Sequence, residues 1–252
     1  ITLFRNLLRY RGKYCDHKPI NMSEEVKNIY DEKVLLIDKP LNWTSFDVVK
    51  KLKFALKVKK IGHAGTLDPL ATGLLILCTG KKTKSIEKYQ AQEKEYTGEF
   101  TLGYTTPSYD LETEPEFQND PKHLSLKQIK EATKYFKGEV EQTPPIFSAV
   151  KTGGKRAYSL AREGKEVKLK SRMVTISQFD ITDFDENKVS FRVKCSKGTY
   201  IRSLAHDFGQ KLEVGAYLSA LRRTKIGDFS VEDAENLNEL VNKNKVDIND
   251  RP

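Results

Sequence analysis

Cysteine is scarce in this sequence of 252 residues, and its few thiols are not arranged for pairing or for metal binding. Cys15, Cys78 and Cys195 contain no Cys-x-x-Cys pair, and none of the four histidines stands at zinc-ligand spacing from them. An odd number of thiols without such a pair argues against a disulfide framework and favours a reducing compartment. We therefore expect no metal site and a cytoplasmic protein.

Long apolar runs are also lacking. The longest continuous run extends only from Leu74 to Cys78, whereas a membrane-spanning helix needs about 18 or more apolar residues. The sequence contains no internal repeat and no low-complexity segment. These absences exclude a helical membrane protein and a repeat protein. The length fits one domain, or one domain with a small appendage, around a substantial core.

Positive charge is abundant. The sequence has 44 basic and 35 acidic residues, which give a formal net charge of +9. An excess of this size favours an anionic partner, most often a nucleic acid. An ordinary soluble protein of high isoelectric point fits the composition equally well.

The hydrophobic pattern predicts paired strands with a few interposed helices. Thr44 or Ser45 is a candidate N-cap, and Ser125 and Gln128 have capping-box spacing. This alternation indicates an α+β fold with a mixed, largely antiparallel sheet flanked by helices and loops. The predicted strands are 33–38, 95–103 and 188–196, and the predicted amphipathic helices are 44–60, 125–136 and 200–212.

The helix predicted over 44–60 has two distinct faces. Phe46, Val49, Leu52 and Leu56 lie near helical spacing and predict the buried stripe. The lysines of 44–60 lie off that stripe. They form either a solvated face or a set of phosphate contacts.

The composition divides the chain into three parts. Residues 1–32 form an N-terminal extension, in which Met22, followed by serine and two glutamates, resembles a natural start. On this interpretation Ile1–Asn21 is an upstream artefact, and an Arg-rich targeting peptide is the alternative. Residues 33–234 form the main domain, with an insertion at 142–170, and residues 235–252 form a short tail with one short helix.

The insertion at 142–170 combines basic residues with two aromatic side chains, Phe147 and Tyr158. Cations that contact phosphates and rings that stack on bases are typical of RNA-binding segments. A solvated excursion is the alternative. The basic residues are Lys151, Lys155, Arg156, Arg162, Lys165, Lys168 and Lys170.

The stretch IGHAGTLDPLATGLLIL, residues 61–77, crowds glycine, histidine and aspartate before an apolar run. In its simplest interpretation Asp68 caps a helix, Pro69 is its first residue and 70–77 continues it. GKKT at 80–83 fails as a phosphate loop because Lys82 stands where serine or threonine is required. No Gly-x-Ser-x-Gly nucleophile elbow is present in the sequence.

GHAGTLDPLATGLL strongly resembles the catalytic motif of the tRNA pseudouridine-55 synthases, the bacterial TruB branch of the pseudouridine synthases. The matching motifs occur in the family's order and cover about 33–234. The other stretches that resemble family motifs are LLIDKPLNWTS, KEYTGEFTLGYTTPSYD, PPIFSAVK with GKRAYSLAREG, CSKGTYIRSLAHDFG and GAYLSALRRTKIGDF.

The resemblance implies a pseudouridine synthase fold in which 142–170 clamps RNA. It implies an isomerase that flips uridine 55 out of the tRNA T-loop and converts it to pseudouridine. Because no redox change occurs, we expect no cofactor. We expect a monomer without an obligatory protein partner, in a form that lacks the C-terminal PUA-type RNA-binding domain.

The resemblance also assigns the reacting residues. Asp68 matches the nucleophile, and Arg202 matches its ion-pair partner. Tyr96 matches the tyrosine that stacks on the flipped base and carries the C5 proton away. The alternatives are that Arg202 is an exposed helix residue and that Tyr96 is an ordinary core tyrosine.

The substrate-binding residues follow from the same resemblance. His63 matches the side chain that fills the place of the flipped base. Tyr200 matches a second aromatic residue of the pocket, and Leu221 matches an apolar residue near the base. Lys39 either supports the catalytic loop or binds a phosphate.

Two other functions stay open at this point. A non-catalytic RNA-binding protein or RNA chaperone would use the same fold to clamp and refold the T-arm. A synthase guided by a separate RNA fits less well, because such relatives normally carry the additional domain.

Overall fold

The computed structural model describes residues 28–148, 150–163 and 169–246. The proposed start at Met22 and the stretch Ile1–Asn21 lie outside these residues, as does part of the insertion. No helix in the described part of the chain is long and apolar enough to span a membrane.

Fourteen strands and six α-helices make up the described fold. The strands are β1 Val34–Lys39, β2 Ile61–His63, β3 Ala71–Thr79, β4 Lys94–Leu102, β5 Tyr104–Thr105, β6 Glu116–Phe117, β7 Gly138–Gln142, β8 Lys151–Thr152, β9 Lys155–Arg156, β10 Arg172–Asp185, β11 Lys188–Cys195, β12 Ala216–Ile226, β13 Phe229–Ser230 and β14 Glu235–Asn236. The helices are α1 Ser45–Ala55, α2 Ile86–Ala91, α3 Leu126–Ala132, α4 Ala157–Arg162, α5 Ile201–Lys211 and α6 Leu237–Val246.

One large sheet runs through the molecule in the order β14-β1-β3-β12-β4-β11-β10-β7, with β2 paired to β3 and β13 to β12. Its strand pairs are antiparallel except β1 with β14 and β3 with β12. The parallel β3–β12 pair joins the antiparallel group β12-β4-β11-β10-β7 to the part of the sheet that contains β14, β1 and β3. This arrangement confirms the predicted α+β class with a mixed, largely antiparallel sheet.

The strand and helix patterns that were strongest in the sequence are confirmed. In β11, the alternate residues Val189, Phe191, Val193 and Cys195 are all buried. The apolar stripe of α5 is buried as well and packs on β12 and β4. Thr44, one of the two candidates, caps α1, and Ser125 caps α3 in the capping box that its spacing predicted; the Thr44 cap is also part of a capping box, with Asp47.

The buried face of α1 differs from the predicted stripe. Ser45, Val48, Val49 and Leu52 are buried, whereas Phe46 is exposed. Val49, Leu52 and Leu56 are buried as predicted, so the difference is confined to the first turn, where Ser45 rather than Phe46 faces the interior. Ser45 is held on the buried side by its hydrogen bonds with Leu67, a residue 22 positions away in the chain.

The helix suggested over 70–77 is wrong, since β3 occupies this run. β3 pairs with β1 along one edge and with β12 and β2 along the other, and nearly all its residues are buried. A central strand covered on both faces gives a continuous apolar run without alternation. Periodicity alone therefore did not distinguish it from a helix.

Residues 235–246, assigned to a tail in the sequence, belong to the described fold. β14 adds a parallel strand beside β1. Leu237, Leu240 and Val241 of α6 are buried in the cluster that also contains residues of α1 and β1. The predicted short helix is present, but it helps to cover one end of the sheet.

Candidate active site

An open cleft lies beside the parallel junction of the sheet, where Asp68 immediately precedes β3. The cleft floor comes from β12, and one wall comes from the turn between β1 and α1. The other wall comes from the loop after β5 and from α5. The lining residues are Leu41, Asp68, Leu70, Ala71, Asp110, Leu111, Arg202, Leu218, Ser219, Ala220 and Leu221.

The turn that carries Asp68 is clamped to the start of α1. The Leu67 amide donates to Ser45 Oγ at 2.9 Å, and Ser45 Oγ donates back to the Leu67 carbonyl at 3.2 Å. The Asn42 amide donates to the Pro69 carbonyl at 2.9 Å. These bonds hold the backbone on both sides of Asp68, so the carboxylate is presented from a rigid turn.

Asp68 and Arg202 form an ion pair at the cleft. Arg202 Nε lies 3.0 Å from Asp68 Oδ2, and the Arg202 side chain is 4% exposed while that of Asp68 is 40% exposed. The guanidinium also donates to the carbonyls of Ser108 at 3.2 Å and Phe147 at 3.0 Å. The alternative that Arg202 is an exposed helix residue is therefore wrong.

A second carboxylate, which the sequence reasoning did not single out, faces the same guanidinium. Asp110 is buried, and its Oδ2 lies 3.5 Å from Arg202 Nε. Burial raises the pKa of the Asp110 carboxyl, and the adjacent Arg202 opposes that rise. Asp110 ends the motif KEYTGEFTLGYTTPSYD, but nothing in its spacing connected it with Arg202.

Lys39 is fully buried beneath the same turn. Its ammonium donates to the carbonyls of Pro40 at 2.9 Å, Trp43 at 2.6 Å and Pro69 at 3.4 Å. Burial lowers the pKa of Lys39 to about 8, although the charge of Asp68 opposes the change. A side chain with no exposed surface cannot reach a phosphate, so the contacts favour loop support among its two predicted roles.

Tyr96 is buried on β4, directly opposite Arg223 of β12. It belongs to the same apolar cluster as Leu67 and Ala71, which flank the Asp68 turn. Burial raises the pKa of the Tyr96 hydroxyl, and the positive charge of Arg223 opposes that rise. Tyr96 is not among the residues that line the open cleft.

Arg223 is the second residue that the sequence reasoning missed. It is 1% exposed, and its guanidinium donates to the carbonyls of Leu74 at 2.8 Å and Gly65 at 3.2 Å. Arg223 therefore connects the tyrosine strand to the loop between His63 and Asp68. Its neighbour in the Arg-Arg pair, Arg222, instead pairs with Asp38 at 2.7 Å.

The remaining predicted residues are distributed unevenly around the cleft. Leu221 lines it and is paired with Ala71 across the parallel strands. His63 lies on β2, half-buried, and burial lowers the pKa of its imidazole. Tyr200 precedes α5, where Arg172 lies 4.9 Å above its ring. The structure thus brings Asp68, Arg202 and Leu221 together, whereas His63 and Tyr200 are not lining residues.

Two family models match adjacent parts of the chain. The N-terminal domain of the TruB family pseudouridylate synthases matches residues 53–201. The C-terminal domain of tRNA pseudouridylate synthase B matches residues 202–249. Together they extend from α1 to the end of the described chain.

Curated relatives and solved structures agree with the family models. The tRNA pseudouridine synthase B of Flavobacterium johnsoniae is 56% identical over 208 residues, 80% of this chain and 91% of that protein. The synthase of the same name from Chloroherpeton thalassium is 51% identical over 218 residues, 84% of this chain and 90% of that protein.

A solved Cbf5-Nop10-Gar1 complex contains a chain with the same fold. It superposes with a TM-score of 0.66 at 32% identity over 85% of this chain, which spans only 55% of that longer chain. The chain belongs to the TruB family of pseudouridine synthases, and pseudouridine synthases are isomerases.

Proposed function

We propose that this chain converts uridine 55 in the T-loop of tRNA to pseudouridine, with Asp68 as the reacting carboxylate. The observation that carries the proposal is the Asp68–Arg202 ion pair at the mouth of an apolar-floored cleft. The names of its relatives supply the substrate class. We propose further that the chain acts in the cytoplasm, as a monomer that needs no protein partner.

The isomerisation needs no external redox partner. The C1′–N1 bond breaks, the uracil turns, C1′ bonds to C5, the C5 proton leaves to solvent, and N1 takes up a proton. Asp68 acts by attack on C1′, by attack on C6, or as the base in an elimination to a glycal. Each route requires an ionised carboxylate that touches the nucleotide, and the partly exposed Asp68 beside a buried guanidinium meets that requirement.

Tyr96 and Leu221 would hold the flipped base. Leu221 provides an apolar surface within the cleft, and the Tyr96 ring lies in the cluster that continues below it. Because burial raises the pKa of the Tyr96 hydroxyl, the phenol keeps its proton at neutral pH. We infer that this hydroxyl relays the C5 proton: it passes its own proton to solvent water as it accepts the proton from C5.

The other predicted residues would act on the RNA outside the cleft. His63 would occupy the place of the flipped base, which offsets part of the unstacking cost of a few kcal/mol. Tyr200, whose ring lies beneath Arg172, would add an aromatic surface for the RNA. The insertion starts beside the site, because the Phe147 carbonyl binds Arg202.

The decisive measurement is tritium release from C5-labelled tRNA by the wild type and by Asp68→Asn. We expect the variant to lose at least about three orders of magnitude in rate, because the reacting charge is gone. Its affinity for tRNA should stay within about threefold of the wild type, since the amide has the same shape. Asp183→Asn on β10, an exposed residue, is the matched control and should keep full activity.

The same assay separates the alternatives. A transcript with cytidine at position 55 should release no tritium, and release from it would contradict the assigned position. A wild-type protein that binds tRNA but releases nothing would favour the non-catalytic binding protein.

A further inference from the structure

The outer face of α1 carries two exposed aromatic rings among lysines. Phe46 is 68% exposed and Phe54 is 73% exposed. Lys50, Lys53 and Lys57 are exposed as well. Phe46, Lys50, Lys53 and Phe54 stand at positions i, i+4, i+7 and i+8 and so share one side of the helix, and Lys57 follows its C-terminal end. We call these five residues the α1 stripe.

The stripe does not look like an ordinary solvated helix face, which mixes acidic with basic residues. Asp47 is the only acidic residue of α1, and its carboxylate is used in the capping box with Thr44. Within the described ranges, no carboxylate forms an ion pair with Lys50, Lys53 or Lys57. The face thus combines uncompensated positive charge with two solvent-exposed rings.

The stripe begins at the wall of the cleft. Ser45, the first residue of α1, is bonded to Leu67 next to Asp68, and Leu41, just before the helix, lines the cleft. α1 has eleven residues and is therefore about 16 Å long. The stripe extends from the wall over this distance. An RNA whose target nucleotide occupies the cleft must therefore include further nucleotides to reach the far end of the stripe.

The opposite wall of the cleft leads to the insertion. The Phe147 carbonyl contacts Arg202, and Arg162 of α4 is paired with Glu112, next to the lining residue Leu111. The cleft therefore lies between the insertion on one side and α1 on the other. Both surfaces combine aromatic rings with cations.

We propose that the α1 stripe is a second RNA-binding surface, which contacts the substrate tRNA outside the loop that enters the cleft. Its lysines bind backbone phosphates, and Phe46 and Phe54 stack on unpaired bases. RNA is the occupant favoured by charge, because a lysine-rich face without free carboxylates matches a polyanion. The proposal rests on the proposed function, since it takes the occupant of the cleft to be tRNA.

The first test changes charge. Lys50→Glu with Lys53→Glu should raise KM for full-length tRNA about tenfold, with the loss in KM rather than in kcat. The slope of log Kd against log salt should become shallower by about 1.5, because two phosphate contacts are lost. Lys127→Glu with Lys130→Glu is the matched control, as both lysines are exposed at the same i, i+3 spacing on α3, which packs on β10.

The second test removes the rings. Phe46→Ala with Phe54→Ala should raise KM for full-length tRNA about fivefold or more without changing the salt slope, because stacking carries no charge. Met173→Ala, an equally exposed apolar residue on β10, should leave KM unchanged. Substitution of exposed residues should not shift the melting temperature, which is measured for every variant.

The outcomes separate this proposal from the proposed function. If the wild type releases tritium and both α1 variants behave like their controls, the stripe does not bind RNA and the proposal is overturned. If the wild type releases none, the proposed function fails, and the tRNA Kd and salt slope of the α1 variants still decide whether the stripe binds RNA.

Discussion

The basic side chains around the cleft are buried and fully engaged, whereas the lysines of α1 and Arg162 of the insertion extend into solvent. Lys39, Arg202 and Arg223 are each at most 3% exposed and donate to backbone carbonyls or pair with carboxylates. Lys50 and Lys53 on α1 are exposed and have no carboxylate partner within the described residues. The same residue types thus serve two different purposes.

The difference follows from the cost of burying charge. A buried cation loses its hydration and is tolerated only where fixed acceptors surround it, so it also fixes the backbone that supplies them. An exposed cation keeps its hydration, contributes little to stability, and is screened by salt. We therefore expect stability and chemistry to depend on the buried set, and tRNA affinity to depend on the exposed set.

Removal of Arg202, a member of the buried set, should have the largest effect on both stability and activity. Arg202→Met leaves Asp110 as an uncompensated buried carboxylate and frees the carbonyls of Ser108 and Phe147. We expect a loss of about 3–5 kcal/mol in the free energy of unfolding. Tritium release should fall to background because Asp68 loses its partner. Urea unfolding and the release assay measure the two effects.

Two further Arg202 measurements sharpen the result. Arg202→Lys keeps the charge without the planar fork, so it should recover part of the stability but little of the activity. The double variant Arg202→Met with Asp110→Asn should be more stable than Arg202→Met alone. If Arg202→Met alone is as stable as the wild type, the ion pairs of the buried Arg202 do not hold the cleft together.

Lys39→Met should have the next largest effect. The variant leaves three carbonyl contacts around Pro40, Trp43 and Pro69 without their donor and should lose about 2–3 kcal/mol. The pKa of Lys39 is lowered to about 8 by burial, so between pH 8 and its ordinary value of 10.5 the unfolded chain binds the proton and the folded chain does not.

Stability from this group therefore rises with pH in that window. The difference in unfolding free energy between the wild type and Lys39→Met should widen in favour of the wild type from pH 8 to pH 10.5. Denaturant unfolding at several pH values measures it. A difference that narrows over this window would be incompatible with a folded-state pKa below 10.5.

Much of the fold could be predicted because its signals are local. The alternation of Val189, Phe191 and Val193 depends only on one strand with one buried face, and the Thr44 cap depends on the next three residues. The motifs around Asp68 and Arg202 similarly indicated both members of the ion pair. Local periodicity and local hydrogen bonds involve residues that are close together in the chain, so the sequence alone can predict them.

The features that sequence reasoning missed depend on distant partners. β3 is a continuous apolar run because two separate core clusters cover its two faces, one containing Leu75 and Leu77 and the other containing Leu74, Ile76 and Cys78. Asp110 and Arg223 gain their roles from Arg202 and from Tyr96, which are about 90 and 130 positions away in the chain. The same limit applies to Phe46, whose exposure follows from the bond between Ser45 and Leu67.

Arg162→Ala should have the smallest effect on stability, and it tests the exposed set of basic residues. Arg162 pairs with Glu112 at the surface, and both side chains are substantially exposed. Loss of such a pair should cost at most about 0.5 kcal/mol, because solvent screens it. The same change should raise KM for tRNA about threefold and make the salt slope shallower by about 0.8, as one phosphate contact is lost. Arg192→Ala, which changes an exposed residue on β11, is the control and should alter neither KM nor the salt slope. If Arg162→Ala instead loses much stability and leaves the salt slope unchanged, exposed cations also hold the fold together.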